Sequence, residues 1–352
     1  MRNYDYKNLI ERFLAPEIVD MLTQIHEYKG EQNLYLDGKE DTLTALLEIA
    51  KIQSAEASNK IEGIYTSDER LKQIVLDKTM PKTRSEEEIA GYRDVLKTIH
   101  ENHQYIPLKP SFILQLHRDL YKYSGQGYGG KYKTSDNVIT QENEKGEKFV
   151  RFIPVEAWET PTEIERICSA YNQAVEIDGV DALLVIPAVI LDFLSVHPFN
   201  DGNGRLSRLL TLLLLYRAGY NVGKYISIEK QIERTKESYY DALHASSVKW
   251  HEEKNDYKPF LRYMLGVILF AYREFNERVD IWSKKPLAKT ERVAEIIKNT
   301  LGAITKKQIA EQCPDIAEIT VQRTLAELTE KGDIIKIGGG RYTKYVWNED
   351  RK

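Results

Sequence analysis

The chain has 352 residues, 42% hydrophobic and 30% charged, with a formal charge of −4, the profile of a soluble globular protein larger than one typical domain. That balance excludes general adhesion to nucleic acid or anionic membranes, and two distant cysteines, Cys168 and Cys313, exclude a disulfide framework and a cysteine metal cluster. The polar N-terminus MRNYDYKNLIERF is unlike a secretory or transit leader, and no apolar run approaches the ~20 residues of a bilayer span, so the expected location is cytoplasmic.

In chain order, apolar periodicity predicts helices over Thr42–Ser58, Glu86–His100, Ser111–Tyr123 and Pro161–Val175. Between the last two, Lys131–Thr140 and Lys148–Ile153 alternate in strand fashion around the polar turn ENEKGE, which reads as a β-hairpin. Ala182–Val196 and Leu206–Ala218 are apolar nearly all round, the mark of helices at the centre of a bundle. Tyr257–Trp282 is a long amphipathic helix, and the polar, proline-containing Ser283–Thr290 reads as a linker. Beyond it, Glu291–Thr300, Lys306–Gln312 and Thr320–Lys331 are helical, followed by two strands around Gly338-Gly339-Gly340, the layout of a winged helix.

The stretch VHPFNDGNGRLSR, residues 196–208, lies between the two buried helices. Pro198 should stop the first helix and hold the backbone extended, with Phe199 as an apolar anchor, so that the His197 imidazole sits at a mouth. Its ordinary pKa of ~6.5 suits a proton acceptor, although a histidine ending a buried helix also serves as a plain structural residue. Gly202, Asn203 and Gly204 ahead of a helix form a main-chain nest suited to phosphate. The lysine and spacing of a Walker A loop are absent. Instead Arg205 and Arg208, three apart on the first helical turn, are expected both to face the nest as forked phosphate ligands. Asp201 offers a hard oxygen for a magnesium ion that keeps most of its waters and bridges phosphates, or else a helix cap. Together these residues suit base-assisted attack on a nucleotide phosphate.

HPFNDGNGRLSR resembles the signature HPFx[D/E]GNGRxxR of the Fic (Fido) proteins at every fixed position, and the likeness extends over residues 40–280. The resemblance implies a mainly α fold: a Fic-type helical bundle with a β-hairpin flap, here followed by the winged helix-turn-helix. Residues 1–84 would be an N-terminal helical region, 85–282 the Fic catalytic core and 283–352 the winged-helix domain. It implies protein AMPylation, in which AMP moves from ATP, with Mg²⁺, to a Ser, Thr or Tyr hydroxyl and pyrophosphate leaves. His197 would be the base, Gly202, Asn203 and Gly204 would hold the α and β phosphates, Arg205 and Arg208 the β and γ phosphates, and Asp201 the metal. The hairpin resembles the family's flap, which docks the target segment by strand-style pairing. Where the family often has Pro-Gly-x-Arg before the flap, this chain has Gly129-Gly130-Lys131-Tyr132-Lys133. Tyr239 and Tyr240 resemble the pair lining the adenine pocket, and are equally readable as core. SNKIEG, Ser58–Gly63, fits the family's inhibitory pattern [S/T]xxxE[G/N], in which Glu62 would pair with Arg208 and take the place of the γ-phosphate. The local sequence also reads as a helix stop with glycine just past the end.

From Pro286 to Lys352 there are 12 basic and 10 acidic residues, and on Thr320–Lys331 Arg323 and Lys331 are cancelled by Glu327 and Glu330. A protein-contacting or regulatory module is therefore expected ahead of a DNA-binding one, although Lys336, Arg341 and Lys344 on the wing could still meet phosphates. The partners expected are a target-protein hydroxyl, the chain's own hydroxyls in self-modification, a second copy in a homodimer and, less so, DNA. Two other readings stay open: a DNA-bound regulator with a Fic-like core that senses nucleotide without turnover, and a Fic enzyme that transfers phosphate or phosphocholine.

Overall fold

The computed structural model describes residues 2–9, 13–36, 40–125, 127, 129–142, 148–283, 288–298, 300, 302–340 and 343–348. Two compact units divide the chain, Met1–Glu31 with Ala50–Arg273 and Gln32–Ile49 with Glu274–Lys352. In order come α1 (Tyr6–Leu9), α2 (Pro16–Leu36), α3 (Glu40–Ile61), α4 (Asp68–Val75), α5 (Arg84–Asn102), α6 (Pro110–Leu120), β1 (Ile139–Glu142), β2 (Lys148–Phe152), α7 (Thr160–Asn172), α8 (Ala182–Val196), α9 (Asn203–Arg217), α10 (Ile228–Arg234), α11 (Lys236–Ser247) and α12 (Lys258–Ser283). No helix among the described residues is long and apolar enough to cross a membrane.

In the first unit α8 and α9 form the centre of the bundle, with α5, α6 and α7 packed around them. Every residue of α8 except Leu194 is buried, and so is every residue of α9 from Arg205 to Tyr216. Such helices are held by packing rather than by one amphipathic stripe, and each fully buried Leu or Ile contributes roughly 1.5–3 kcal/mol. The Asp181 side chain caps α8 by accepting from the Leu183 N–H at 2.9 Å. One charge interrupts the apolar core. Asp192 is fully buried and accepts from Tyr6 (2.8 Å), Trp250 (2.7 Å) and Tyr257 (2.8 Å), with the Arg2 guanidinium at 3.8 Å. This carboxylate ties the first residues of the chain to α8 and to the start of α12.

The structure corrects the sequence reading at three places. The helix α2 was not expected, although Ile18, Met21, Leu22, Ile25 and Tyr28 recur at helical spacing and Pro16 and Glu17 open its first turn. The helix α9 begins at Asn203, three residues before Leu206, because Gly202 adopts a left-handed conformation and its carbonyl takes the Leu206 N–H at 2.9 Å. The hairpin is shorter than expected: β1 starts at Ile139, and residues 131–138 are not strand. The polar groups of that segment are engaged elsewhere, Lys133 with the end of α8 and Asp136 with the Ala157 N–H. Residues 143–147 of the ENEKGE turn lie outside the described residues.

The second unit contains α13 (Lys289–Lys298), α14 (Lys306–Gln312) and α15 (Glu318–Lys331), with β3 (Ile304–Thr305), β4 (Ile334–Ile337) and β5 (Lys344–Trp347). The strands form an antiparallel sheet in the order β3-β5-β4, in which β3 was not expected from the sequence. Val293, Ile297, Ile309, Val321, Leu325 and Ile334 are among the residues of its own core. Thr305 and Gln308 form a reciprocal capping box on α14. Arg341 lies outside the described residues.

Candidate active site

The site is built on the break between α8 and α9. His197 ends α8 in a left-handed conformation (φ 50°, ψ 62°), not the extended one expected before proline, and its N–H still bonds the Phe193 carbonyl at 3.0 Å. The loop then folds under itself. Phe199 is fully buried and stacks on the His117 ring at 3.7 Å, which makes it the anchor the sequence suggests. Its N–H and carbonyl are both taken by the Asn203 side chain, at 3.0 and 2.7 Å. Asn203 is therefore a loop clamp, and only its main chain remains to meet an anion.

His117, on α6, was not singled out by sequence. Its Nδ1 accepts the Gly130 N–H at 2.9 Å, which leaves Nε2–H to donate to the Asp201 carbonyl at 3.0 Å. One imidazole thus fixes both the loop and the segment before the hairpin. Burial lowers its pKa to about 4, so it remains neutral in this role.

A cavity of about 720 Å³ opens beside the loop, lined by His197, Gly204, Arg208, Glu62, Tyr239 and Tyr240, with Arg151 and Phe152 of the hairpin. That size is ordinary for a small-molecule site. Arg208 is 3% exposed and bonds the Ser58 Oγ (2.8 Å), the Ser58 carbonyl (2.9 Å) and Glu62 Oε1 (2.8 Å). The Glu62 carboxylate also presses on Gly204, where a Cβ would collide with it. A negative group thus already sits at the N-terminus of α9, where the macrodipole favours one. The end of α3 supplies it: the Ile64 N–H bonds Asn59 and the Gly63 N–H bonds Lys60, with Gly63 left-handed. This is a Schellman stop, so helix termination and the ion pair are features of the same turn.

Arg205 departs from expectation. Only 1% exposed, it does not line the cavity; it pairs with Glu88 on α5 at 2.7 Å and donates to the Tyr121 hydroxyl at 2.7 Å. Positions three apart on a helix lie about 60° apart around its axis, enough for long side chains to part when a buried carboxylate draws one of them away. Asp201 does not line the cavity either. Its Oδ1 accepts the Gly202 N–H at 2.7 Å, Oδ2 stands 3.8 Å from Arg205, and the side chain is 47% exposed. Among the described residues no three His, Cys, Asp or Glu side chains converge as a metal cluster. A lone accessible carboxylate suits an ion that brings its other ligands as water and phosphate.

Tyr239 is buried against Tyr240 at 5.3 Å and against Phe260 and Tyr263, whereas Tyr240 is partly exposed beneath the Arg151 guanidinium, 5.4 Å away. Both rings line the cavity, Tyr239 from the core and Tyr240 from a partly exposed position. Lys236, also missed by sequence, donates from the start of α11 to the Ile61 carbonyl at 2.7 Å and lines the cavity. An isolated lysine carries no sequence signal that would single it out.

Burial, then the Lys133 ammonium, lowers the His197 pKa to about 4, against the opposing pull of the Leu194 carbonyl, Glu62 and Asp201. The ring is neutral at physiological pH, as a proton acceptor must be.

Residues 107–215 match the Fic/DOC family. Over 99 residues the chain is 34% identical to the protein adenylyltransferase Fic of Aedes aegypti, a match covering 26% of this chain and 17% of that protein. Over 285 residues it is 24% identical to the protein adenylyltransferase Fic of Drosophila erecta, covering 74% of this chain and 52% of the relative. The chain thus spans about half or less of the curated relatives it matches. Among solved structures, a Fic family protein from Desulfovibrio desulfuricans superposes with a TM-score of 0.62 at 19% identity, covering 96% of this chain and 98% of the other. Fic-1 of Caenorhabditis elegans superposes with a TM-score of 0.56 at 18% identity, covering 75% and 73%. The bundle, with its loop between two buried helices, is a Fic fold. The chain carries a Fic domain, in a family whose curated relatives are transferases by name.

The buried histidines give a test of the local electrostatics. Burial depresses His100 to about 3 and His117 and His197 to about 4, against ~6.5 unfolded. Between those values the unfolded chain binds more protons, so stability is present above ~6.5 and lost as pH falls toward the folded values. Thermal unfolding should show the melting temperature falling between pH 6.5 and 5, above the main carboxylate range. A flat profile there would contradict the assigned burial.

Proposed function

We propose that the chain is a protein adenylyltransferase, transferring AMP from ATP to a target-protein hydroxyl and held in check by Glu62. The observation that carries this reading is the Glu62 carboxylate seated on Gly204 and Arg208, at the N-terminus of α9. An anion site filled by the protein's own carboxylate is one that a phosphate can contest. The transferase-named relatives support the chemistry.

In the proposed reaction His197 accepts the proton of the target hydroxyl. The oxygen bonds to the α-phosphorus, the bond from that phosphorus to the bridging oxygen breaks, and pyrophosphate leaves. The main-chain N–H groups at Asn203 and Gly204 hold phosphate beside the Gly202 turn, and Arg208 takes the terminal phosphate once Glu62 withdraws. Arg205 keeps the loop in place from behind. Tyr240 offers a ring face for the base. Magnesium, held by Asp201 together with the phosphates, would supply charge neutralisation on the leaving group.

A charge-assisted contact such as Glu62–Arg208 is worth about 1.5–3 kcal/mol, a roughly 10- to 100-fold bias toward the closed arrangement. The Glu62→Gly variant should raise self-modification by about that factor, measured as label transfer from α-labelled ATP. An unchanged rate in folded protein would remove the inhibitory role. In that variant His197→Ala should lower transfer by about 10²–10⁴-fold. A loss of only twofold would remove the general base.

For the C-terminal unit, the exposed face of α15 carries Glu318, Gln322, Arg323 and Glu327, and Glu318 also pairs with Lys306 at 2.8 Å. The charge on this face supports contact with protein rather than DNA. No gel shift of duplex DNA by the full chain is expected at low salt. Salt-dependent retention would reverse the assignment.

A further inference from the structure

We infer that Lys133 is a positioning residue for His197, acting through both carbonyls that flank the imidazole; this rests on the transferase reading. The Lys133 N–H donates to the Pro198 carbonyl at 2.9 Å, and its Nζ donates to the Val196 carbonyl at 3.0 Å. One residue thus brackets the histidine from before and after. A third bond joins Nζ to Asn137 Oδ1 at 3.0 Å, and Asn137 Nδ2 reaches the Phe199 carbonyl at 3.4 Å.

The bracket answers a specific need. A non-glycine residue in the left-handed region carries a strain of about 1–3 kcal/mol and persists only where its surroundings over-determine it. At His197 the helical bond to Phe193 and the Lys133 Nζ bond to Val196 fix the entering chain, and the Lys133 N–H bond to Pro198 fixes the leaving one. The ammonium also meets the last carbonyl of α8, that of Val196, where the helix dipole favours a cation.

Lys133 is 2% exposed, and burial lowers its pKa to about 8, with Asp136 opposing the shift. At neutral pH it still carries its charge. The charged groups that bear on His197 are Lys133 from the segment before the hairpin, Glu62 from the end of α3 and Asp201 from the loop, with Arg208 of α9 on the same cavity. Lys133 alone of the first three works against the imidazolium. It therefore both aims the ring and adds to burial in keeping it in the form that accepts a proton.

The test uses the full chain with Lys133→Met, which keeps the apolar stem, and Lys133→Arg, which keeps the charge. His197 is followed by NMR titration of its ring protons, assigned by their loss in His197→Ala. Removing the ammonium should raise the His197 pKa by about one unit, while Lys133→Arg should stay within a few tenths. In the Glu62→Gly background, Lys133→Met should lower kcat by about tenfold or more with the KM for ATP within about twofold. An unmoved titration in folded Lys133→Met, or a loss confined to KM, would overturn the assignment. Should Lys133→Met not fold, Lys133→Gln is read in its place by the same criteria, and a shift in Lys133→Arg as large as that in the neutral variant would equally overturn it. The titration needs no turnover, so an inactive Glu62→Gly chain would defeat the transferase reading while leaving Lys133 decided by NMR.

Discussion

A guanidinium buried to 3% exposure in the second turn of α9 is the constraint on which the site depends. Burial acts against the Arg208 charge, and the Glu62 carboxylate beside it more than restores it, raising the arginine above its ordinary value. A buried cation without an anion or acceptors is strongly destabilising, so something must stand opposite it. The end of α3 supplies both needs, acceptors from Ser58 and the charge from Glu62. Inhibition and nucleotide binding, in the proposed cycle, are two answers to one electrostatic requirement. In that cycle a phosphate takes the place of the carboxylate opposite Arg208.

The second requirement is stiffness. A loop between two buried helices exposes main-chain groups that must be satisfied without blocking the cavity. Here the neighbours do it from behind: Asn203 clamps Phe199, His117 holds the Asp201 carbonyl, and Lys133 takes the carbonyls around His197. Arg205 belongs to the same set through Glu88 and Tyr121. The signature segment thus divides by function. Some of its residues face the cavity, and the others exist to keep those in register.

That division is what the sequence alone does not reveal. Ala182–Val196 is legible to the residue because a nearly all-apolar run between Asp181 and His-Pro has clear ends, and the bundle follows from it. Glu62, His197, Gly204 and Arg208 come together as their pattern suggests. Spacing gave no warning that Arg205 turns away, since its direction is set by Glu88, more than a hundred residues earlier. The left-handed turn at His197 is hidden for a related reason: proline biases its neighbour toward extended backbone, and only tertiary bonds override that bias. Lys131–Thr140 alternates like a strand, yet Lys133 and Asp136 serve the loop and the turn before α7 instead of a sheet. Local pattern finds the elements; the partners of buried polar groups must be seen.

The end of α3 is tied to the cavity at a second point, and this shapes how inhibition would be lifted. Lys236 donates to the Ile61 carbonyl while lining the cavity with Arg208. The last turn of α3 therefore engages two cations, one by a carboxylate and one by a main-chain oxygen at the negative end of the helix. Rotating the Glu62 side chain alone would take the carboxylate from Arg208, with its Ser58 bonds kept, and leave Lys236 occupied. Withdrawing the whole turn would free both, presenting two positive groups to a triphosphate at once. In the proposed cycle full release is thus a movement of backbone at Ile61–Gly63, where a Schellman stop makes the turn a unit that moves or stays as a whole.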